Sequence, residues 1–185
     1  TQMKKLEGTY VGYRVSANDA DSLYRFLKDN SIPCDRAEFH VTVLYSRKNH
    51  LEQFQPNPDL FHIGFHEEYG IFDNGSSKCL VIRLRCPSLL RRHQQLMDDL
   101  QATYDFPIYY PHITVCDSIP DGFSTFKLPK FRGGITINGE YSELLELDWK
   151  PETSDPIPVR EVLDNPEHPL HEEVADVFEK LERGE

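Results

Sequence analysis

The sequence predicts an α+β fold in which helices pack on the outside of antiparallel sheets. The length of 185 residues and a hydrophobic content of 38% allow one domain with a real core. Apolar residues recur with strand or helix spacing through residues 1–149. The segments follow the order β-α-β-β-β-α-β-β, which favours an α+β arrangement over a parallel α/β sheet.

The first half of this pattern contains three strands and one helix. Residues 9–15 are rich in β-forming side chains, and Ser16 or Asn18 can cap a helix over residues 20–28. A second strand is predicted over residues 38–46. A third, over residues 62–72, begins a hairpin that turns at residues 73–75.

The second half begins with the returning hairpin strand, residues 78–86. The longest helix is predicted over residues 88–104, with His93 on its polar face. Strands over residues 110–117 and 135–148 complete the domain, which we assign to residues 1–150. The inner stripe of the long helix consists of Leu89, Leu96, Met97 and Leu100.

Residues 151–185 differ in composition from the rest and form a Pro-rich, acidic tail. Proline fixes φ and removes a donor, so residues 151–169 are expected to be extended and irregular. Residues 171–181 carry apolar side chains at helical spacing. This predicts a short amphipathic helix that packs on its own domain or on a neighbour, so the tail is a candidate contact in a homo-oligomer.

Charge and cysteine content narrow the function classes. A net charge of −11 and a pI near 5.1 argue against a broad surface for duplex nucleic acid but allow a small anionic ligand. The four cysteines form no C-x-x-C pair, which indicates a reducing compartment and no structural zinc. No apolar run reaches 18 residues and the first eight are polar, so we expect a cytoplasmic protein without membrane contact.

Two predicted strands carry nearly the same text. Residues 39–46 read FHVTVLYS and residues 111–118 read PHITVCDS, sharing His-aliphatic-Thr-Val-x-x-Ser. Side chains at i and i+2 of a strand lie on one face. His40 and Thr42 therefore share a face, as do His112 and Thr114. We call these four side chains the paired H-x-T motifs.

A single strand histidine is more often structural than catalytic, but a matched pair favours catalysis. A neutral imidazole accepts a proton near neutral pH, and an imidazolium returns it. A threonine hydroxyl two residues on can donate to an anionic oxygen. The pair thus suits a metal-free phosphodiester site, whereas acyl transfer lacks a Ser or Cys marked by a local motif.

These motifs, 72 positions apart, resemble those of the 2H phosphoesterase superfamily. The stretches EGTYVGYRV, FHVTVLYSRK, YYPHITVCDS and ITINGEYSELLELDW are similar to one branch, the phage anti-CBASS phosphodiesterases, which degrade cyclic di- and trinucleotide messengers of bacterial immunity. The resemblance implies a bilobal, pseudo-symmetric 2H phosphoesterase fold over residues 5–149. It also implies catalysis by the paired H-x-T motifs without a metal or other cofactor, in the cytoplasm of an infected bacterium.

The implied reaction is cleavage of a 3′–5′ linkage in a cyclic oligonucleotide. One histidine removes the proton from a ribose 2′-OH, which attacks the adjacent phosphorus, and the other protonates the departing 5′-oxygen. The product carries a 2′,3′-cyclic phosphate. The sequence leaves open which histidine is the base.

Three residues are candidates for reading the substrate's bases. Tyr10 lies on the first strand and either stacks a base or is a rim or core tyrosine. Glu140 either reads a base edge or a ribose hydroxyl, or is simply exposed. Trp149 either stacks a second base or plugs the edge of the core.

Other residues near the motifs are weaker candidates. Arg14, Arg47 and Lys48 offer positive charge for phosphates, although surface cations are usually just solvated. Tyr69 and Phe72 lie in a loop-like stretch that is placed to cover the site. His62 and His66 are four residues apart, but their context looks extended and no third ligand is placed, so we predict no metal site.

Two alternatives to a cyclic-oligonucleotide phosphodiesterase remain open. The first keeps the superfamily and changes the substrate, to an RNA 2′,3′-cyclic phosphate or a 2′–5′ oligonucleotide. The second is a non-enzymatic sponge that sequesters the messenger. Two intact H-x-T motifs argue against the sponge.

Overall fold

The structure, a computed structural model, describes residues 6–73 and 75–147 and is a mixed α+β fold. This confirms the predicted class and element order. The tail and Trp149 lie outside the described residues. The elements are β1 (Leu6–Val15), α1 (Ala17–Asp29), β2 (His40–Ser46), β3 (Phe61–Asp73), β4 (Lys78–Arg85), α2 (Pro87–Leu100), β5 (His112–Cys116) and β6 (Ile135–Leu147).

The six strands form one antiparallel sheet in the order β2-β1-β6-β3-β4-β5. The long β3 joins its two halves. Its first residues, Phe61 to Gly64, pair with β6, and Phe65 to Asp73 pair with β4. The strands that carry the paired H-x-T motifs, β2 and β5, are therefore the two edges of the sheet.

These two edge strands nevertheless approach each other in space. The Tyr109 hydroxyl, just before β5, donates to the Thr42 carbonyl oxygen at 2.6 Å. The backbone N–H of Asp35 donates to the Val115 carbonyl oxygen at 3.2 Å. The sheet thus curves until its first and last strands lie side by side.

The core fixes which face of each motif strand is open. Val41 and Val43 on β2, and Ile113 and Val115 on β5, are fully buried. Burial of each such side chain contributes about 1.5–3 kcal/mol, so a one-residue slip that exposed them is strongly disfavoured. Helices α1 and α2 cover this core with Leu23, Leu27, Leu89 and Leu96.

Helix α2 differs from its prediction in two respects. It ends at Leu100 and not at residue 104, because Gln101 adopts a left-handed conformation with φ of 50°. His93 is buried and not on a polar face: its Nδ1 bonds the Val43 carbonyl oxygen at 2.6 Å, and its ring stacks on Tyr109. Neither described helix is long and apolar enough to cross a membrane.

A second difference concerns the stretch around Tyr69 and Phe72. Both residues lie within β3, in agreement with the strand predicted over residues 62–72 and not with the loop-like stretch expected to cover the site. They cannot form a mobile cover, because their backbone is paired along β4.

Candidate active site

The paired H-x-T motifs meet at one cavity of about 420 Å³. His40 and Thr42 enter it from β2, and His112 and Thr114 from β5. Strand alternation explains this convergence, since the intervening valine and isoleucine side chains point into the core. Five more residues complete the lining: Tyr10, Arg36, Tyr141, Glu143 and Leu145.

The surroundings of His112 favour a neutral ring with a free Nε2 lone pair. Its Nδ1 lies 3.0 Å from the carbonyl oxygen of Tyr110. A carbonyl oxygen only accepts, so Nδ1 carries the hydrogen. Burial lowers the pKa of His112, and nearby Arg83 acts in the same direction. Nε2 is thus left as a proton acceptor.

His40 sits in a different environment, against Tyr141. Its Nδ1 lies 3.2 Å from the Tyr141 hydroxyl, and the two rings meet edge to face. The guanidinium of Arg14 lies 5.1 Å from the centre of the same Tyr141 ring. Tyr141 thus links His40 to a positive charge.

The two histidines have matching neighbours across their strands. Arg14 on β1 pairs with His40, and Arg83 on β4 pairs with His112. Arg83 also bonds the Glu68 carboxylate at 3.1 Å. Each histidine therefore has an arginine as its direct partner on the adjacent strand, and paired residues present side chains to the same face.

Arg36 is a lining residue that sequence reasoning missed. Among the described residues that line the cavity, it alone carries a fixed positive charge. Its guanidinium pairs with the carboxylates of Asp117 and, at 3.5 Å, Asp35. Arg36 precedes β2 in a segment without periodic pattern, so spacing offered no signal.

Glu140 does not line the cavity, contrary to its predicted role beside the substrate. It is 2% exposed, and its carboxylate accepts hydrogen bonds from Tyr13, Arg92 and the Asn57 backbone N–H. Burial alone raises its pKa, but the hydrogen bonds from Arg92 and Tyr13 outweigh this, and the net pKa is lowered. The carboxylate is a buried structural anion.

The cause of that difference is a local break in strand alternation. Gly139 adopts φ of 67°, and the register between β1 and β6 shifts between Gly12 and Arg14. Glu140 therefore faces the core side, and Tyr141 and Glu143 reach the cavity in its place.

Arg47 and Lys48 lie away from the cavity. The Arg47 guanidinium makes two hydrogen bonds to Asp105, at 2.7 and 3.0 Å. Lys48 Nζ donates to the Gln101 carbonyl oxygen at 3.2 Å. Both follow the end of β2, whereas His40 lies at its start, so the full length of the strand separates them from His40.

Of the two aromatic residues predicted to cover the site, only Phe72 is near it. Its ring centre lies 5.3 Å from that of His112. The Tyr69 hydroxyl donates to the Pro129 carbonyl oxygen at 2.7 Å, and the ring packs against His66.

His62 and His66 are both buried on β3, and each makes a hydrogen bond to a different partner. His62 Nδ1 lies 2.7 Å from the Ser88 hydroxyl, and His66 Nδ1 accepts from the Phe131 N–H at 3.0 Å. Within residues 6–73 and 75–147, no group of three His, Cys, Asp or Glu side chains is arranged to hold a metal ion.

Comparison with known proteins identifies the family. A model of the family described as anti-CBASS protein Acb1 matches residues 7–152, which include every residue that lines the cavity. The chain belongs to this family.

Individual relatives from three phages agree with this membership. An anti-CBASS protein Acb1 of Vibrio phage KVP40 is 31% identical over 147 residues, covering 77% of this chain and 91% of the relative. The protein of that name from Acinetobacter phage Ac42 is 30% identical over 78% of this chain and 95% of the relative. The protein of that name from Enterobacteria phage T4 is 30% identical over 77% of this chain and 91% of the relative.

Proposed function

We propose that this protein is a metal-independent phosphodiesterase of the 2H phosphoesterase type. Its substrates are cyclic di- and trinucleotide messengers, whose 3′–5′ linkages it cleaves to counter CBASS defence. The observation that carries the proposal is the convergence of the paired H-x-T motifs on one cavity. The family name, anti-CBASS protein Acb1, supports the biological role.

The topology supports the bilobal, pseudo-symmetric part of this proposal. Each motif strand is an edge strand that follows a helix and pairs antiparallel with the strand before that helix. The unit β1-α1-β2 carries His40, and the unit β4-α2-β5 carries His112. Two similar units with equivalent histidines suit a duplicated fold over residues 1–150, with residues 151–185 as a separate tail.

The environment of His112 supports the base role for this histidine, which leaves the acid role to His40. His112, neutral and with its Nε2 lone pair free, accepts the proton of the ribose 2′-OH. The 2′-oxygen then attacks the adjacent phosphorus. His40 takes the other role of the pair and donates a proton to the departing 5′-oxygen, and the phosphorus is left in a 2′,3′-cyclic phosphate. The proton gained by His112 and the one lost by His40 are exchanged with solvent afterwards.

Hydroxyl groups stabilise the negative charge on the non-bridging oxygens of the phosphate during the reaction. Thr42 and Thr114 lie two residues beyond the histidines on the same faces, where their hydroxyls donate to the non-bridging oxygens. Arg36 supplies the fixed positive charge among the described lining residues. No metal is needed to balance the transferred proton or to polarise the phosphate.

The rest of the lining suits bases and riboses. Tyr10 presents a half-buried ring on which a base stacks, and Glu143 presents an exposed carboxylate that accepts from a base edge or a ribose hydroxyl. Arg14 adds positive charge beside Tyr141. Trp149, which lies outside the described residues, stays a candidate either for stacking a second base or for plugging the edge of the core. The substrate places the enzyme in the cytoplasm of the infected bacterium.

A substrate panel with EDTA present tests this function. Cyclic dinucleotides, cyclic trinucleotides, 2′–5′ oligoadenylate and RNA 2′,3′-cyclic phosphate are incubated with the protein and with His40→Ala and His112→Ala. We expect cleavage of the cyclic messengers, and a loss on the order of 10²-fold or more in each variant. Cleavage of only one of the other two substrates would identify an RNA 2′,3′-cyclic phosphodiesterase or a 2′–5′ hydrolase. Tight binding without turnover would identify a sponge.

A second arm tests the nucleophile. A cyclic dinucleotide with 2′-deoxyribose at the cleaved position is expected to bind and stay intact, because the attacking oxygen is missing. Its rapid hydrolysis would show that water attacks and that the ribonuclease-like step is wrong. Restoration of activity by zinc or manganese after chelation would reject the two-histidine mechanism.

A further inference from the structure

A second cavity, of about 600 Å³, lies outside the candidate active site and shares no lining residue with it. It is formed by β3, the end of β4 and the segment that leads into β6. Six of its residues carry the argument: Phe65, His66, Arg85, Lys130, Phe131 and Arg132. We call it the basic cavity.

The charge of the basic cavity is opposite to that of the chain. Arg85, Lys130 and Arg132 line it together, although the net charge of the whole chain is −11. None of its described lining residues is acidic. The ion pairs found among residues 6–73 and 75–147 involve other arginines, so these three charges are not neutralised in that way. Such a cluster attracts an anion.

An aromatic surface lies beside this charge. The Phe65 side chain is 42% exposed, and the Arg85 guanidinium lies 5.5 Å from its ring centre. Phe131 is held in place by an edge contact with Phe26. The exposed ring of Phe65 beside a cation suits a planar ligand that also carries an anionic group.

A buried donor on the wall lacks an acceptor. His66 is 8% exposed, and its Nδ1 accepts from the Phe131 N–H, so the hydrogen of the neutral ring is on Nε2. Nε2 is buried and has no hydrogen-bond partner among the described residues. Burial, together with Lys130, lowers the pKa of His66 to about 4, which keeps the ring neutral. Leaving a buried donor unpaired is unfavourable, so this wall of the basic cavity is less well satisfied than the rest of the core.

We propose that the basic cavity binds a nucleotide, with the base against Phe65 and the phosphate between Arg85, Lys130 and Arg132. Three cations without the aromatic ring would indicate any anion, and the ring without the cations would indicate any apolar group. Their combination in one cavity fits a base and a phosphate in one molecule. This binding is separate from catalysis and does not depend on the proposed reaction.

Binding of adenosine 5′-monophosphate to the full chain tests the proposal. Calorimetry measures affinity, and hydrogen exchange locates the site. We expect the nucleotide to protect residues 61–66 and 126–134, and to bind at least about tenfold more tightly than adenosine or inorganic phosphate alone. Protection of residues 39–46 and 109–116 would report separate binding at the candidate active site.

Charge variants link that protection to the basic cavity. The double variant Arg85→Gln, Lys130→Gln is expected to weaken nucleotide binding at residues 61–66 and 126–134 by roughly 10- to 100-fold, the loss of one or more charged hydrogen bonds. Lys127→Gln is the matched control, because Lys127 also lies over an exposed phenylalanine, Phe126, but outside the cavity. Equal affinity for phosphate and nucleotide, absence of protection at these residues, or an equal effect of the control would overturn the proposal.

Discussion

The Thr42 hydroxyl donates its one hydrogen to the Tyr10 hydroxyl oxygen at 3.1 Å, and this hydrogen has to turn from Tyr10 to reach a phosphate oxygen. This contact joins β2 to β1 within the candidate active site and ties a phosphate-binding group to a base-stacking group. Tyr10 also lies against Tyr141, with ring centres 5.8 Å apart. Two functions of Tyr10, the ring and the hydroxyl, are therefore separable by substitution.

Substitution of Tyr10 should distinguish stacking from hydrogen bonding. Tyr10→Ala removes the ring and is expected to raise KM by roughly 10- to 100-fold, because stacking of a base contributes about 1–3 kcal/mol. Tyr10→Phe keeps the ring, so its KM should stay within a few-fold of the unmodified protein. Steady-state kinetics on a cyclic dinucleotide measures both. Equal losses in the two variants would show that the ring does not stack a base.

The threonines give a second prediction. Thr42→Val and Thr114→Val are each expected to lower kcat on the order of 10²-fold, the cost of losing one donor to a developing oxyanion. Thr→Ser at either position should lose less, because the hydroxyl remains. Valine is β-branched and fits a strand, so the fold is expected to persist. Unchanged kcat in the valine variants would indicate a structural role only.

The pH dependence of cleavage follows from the state of His112. Because burial lowers its pKa, the acidic limb of kcat/KM should fall below pH 6.5, the ordinary value for histidine. The profile from about pH 4.5 to about pH 9 is expected to be bell-shaped, with apparent pKa values that belong to the histidine pair. An acidic limb above pH 6.5 would reverse the assignment of His112 as base.

Two neighbouring glutamates on β6 should respond in opposite ways. Glu140→Ala removes the buried carboxylate that accepts hydrogen bonds from Tyr13 and from the half-buried Arg92, and it is expected to destabilise the protein by about 3–5 kcal/mol. Glu143→Ala, at an exposed position, should leave stability unchanged and raise KM. Urea unfolding and kinetics on both variants test the pair. A stable Glu140→Ala protein with a raised KM would restore Glu140 to the substrate site.

Protein stability should also decline in mild acid. The pKa values of His62, His66 and His93 are lowered by burial, so the folded state holds these rings neutral. Below pH 6.5 the unfolded chain binds more protons, and stability is lost as the pH falls. For His66, with a pKa of about 4, the loss between pH 6.5 and 4 approaches about 3 kcal/mol. Urea midpoints that stay constant from pH 7.5 to pH 5 would contradict this.

The sequence was most informative where a pattern was repeated. Two H-x-T motifs on strands located four of the cavity's lining residues, because alternation fixes side-chain direction when the core face is strongly apolar. Arg36 had no such signal. It reaches the cavity only because the segment before β2 is bonded to β5, a tertiary contact that local spacing does not encode.

The predictions from sequence were wrong in two situations. In one, a local change of backbone geometry broke the strand alternation. In the other, a polar side chain was assumed to be exposed to solvent. The left-handed Gly139 reversed the alternation after it, so Glu140 is buried on the core side and Glu143, which was not predicted, lines the cavity. His93 was placed on a polar face although it lies four residues after Leu89 and three before Leu96, which is the spacing of the buried stripe. If the apolar stripe of the helix is allowed to contain a histidine that is buried and hydrogen-bonded, the same spacing places His93 in the core.

The position of the motif strands at opposite edges of the sheet has a consequence for folding kinetics. His40 and His112 are brought together only when the first and last strands of the sheet meet, and this closes a loop of 72 residues. Such long-range contacts form late, because the loss of chain entropy comes before the stabilising contact. During refolding, the two helices and the β3–β4 hairpin would then form before the protein regains catalytic activity. Recovery of activity would measure closure of the whole sheet and not the appearance of any single element.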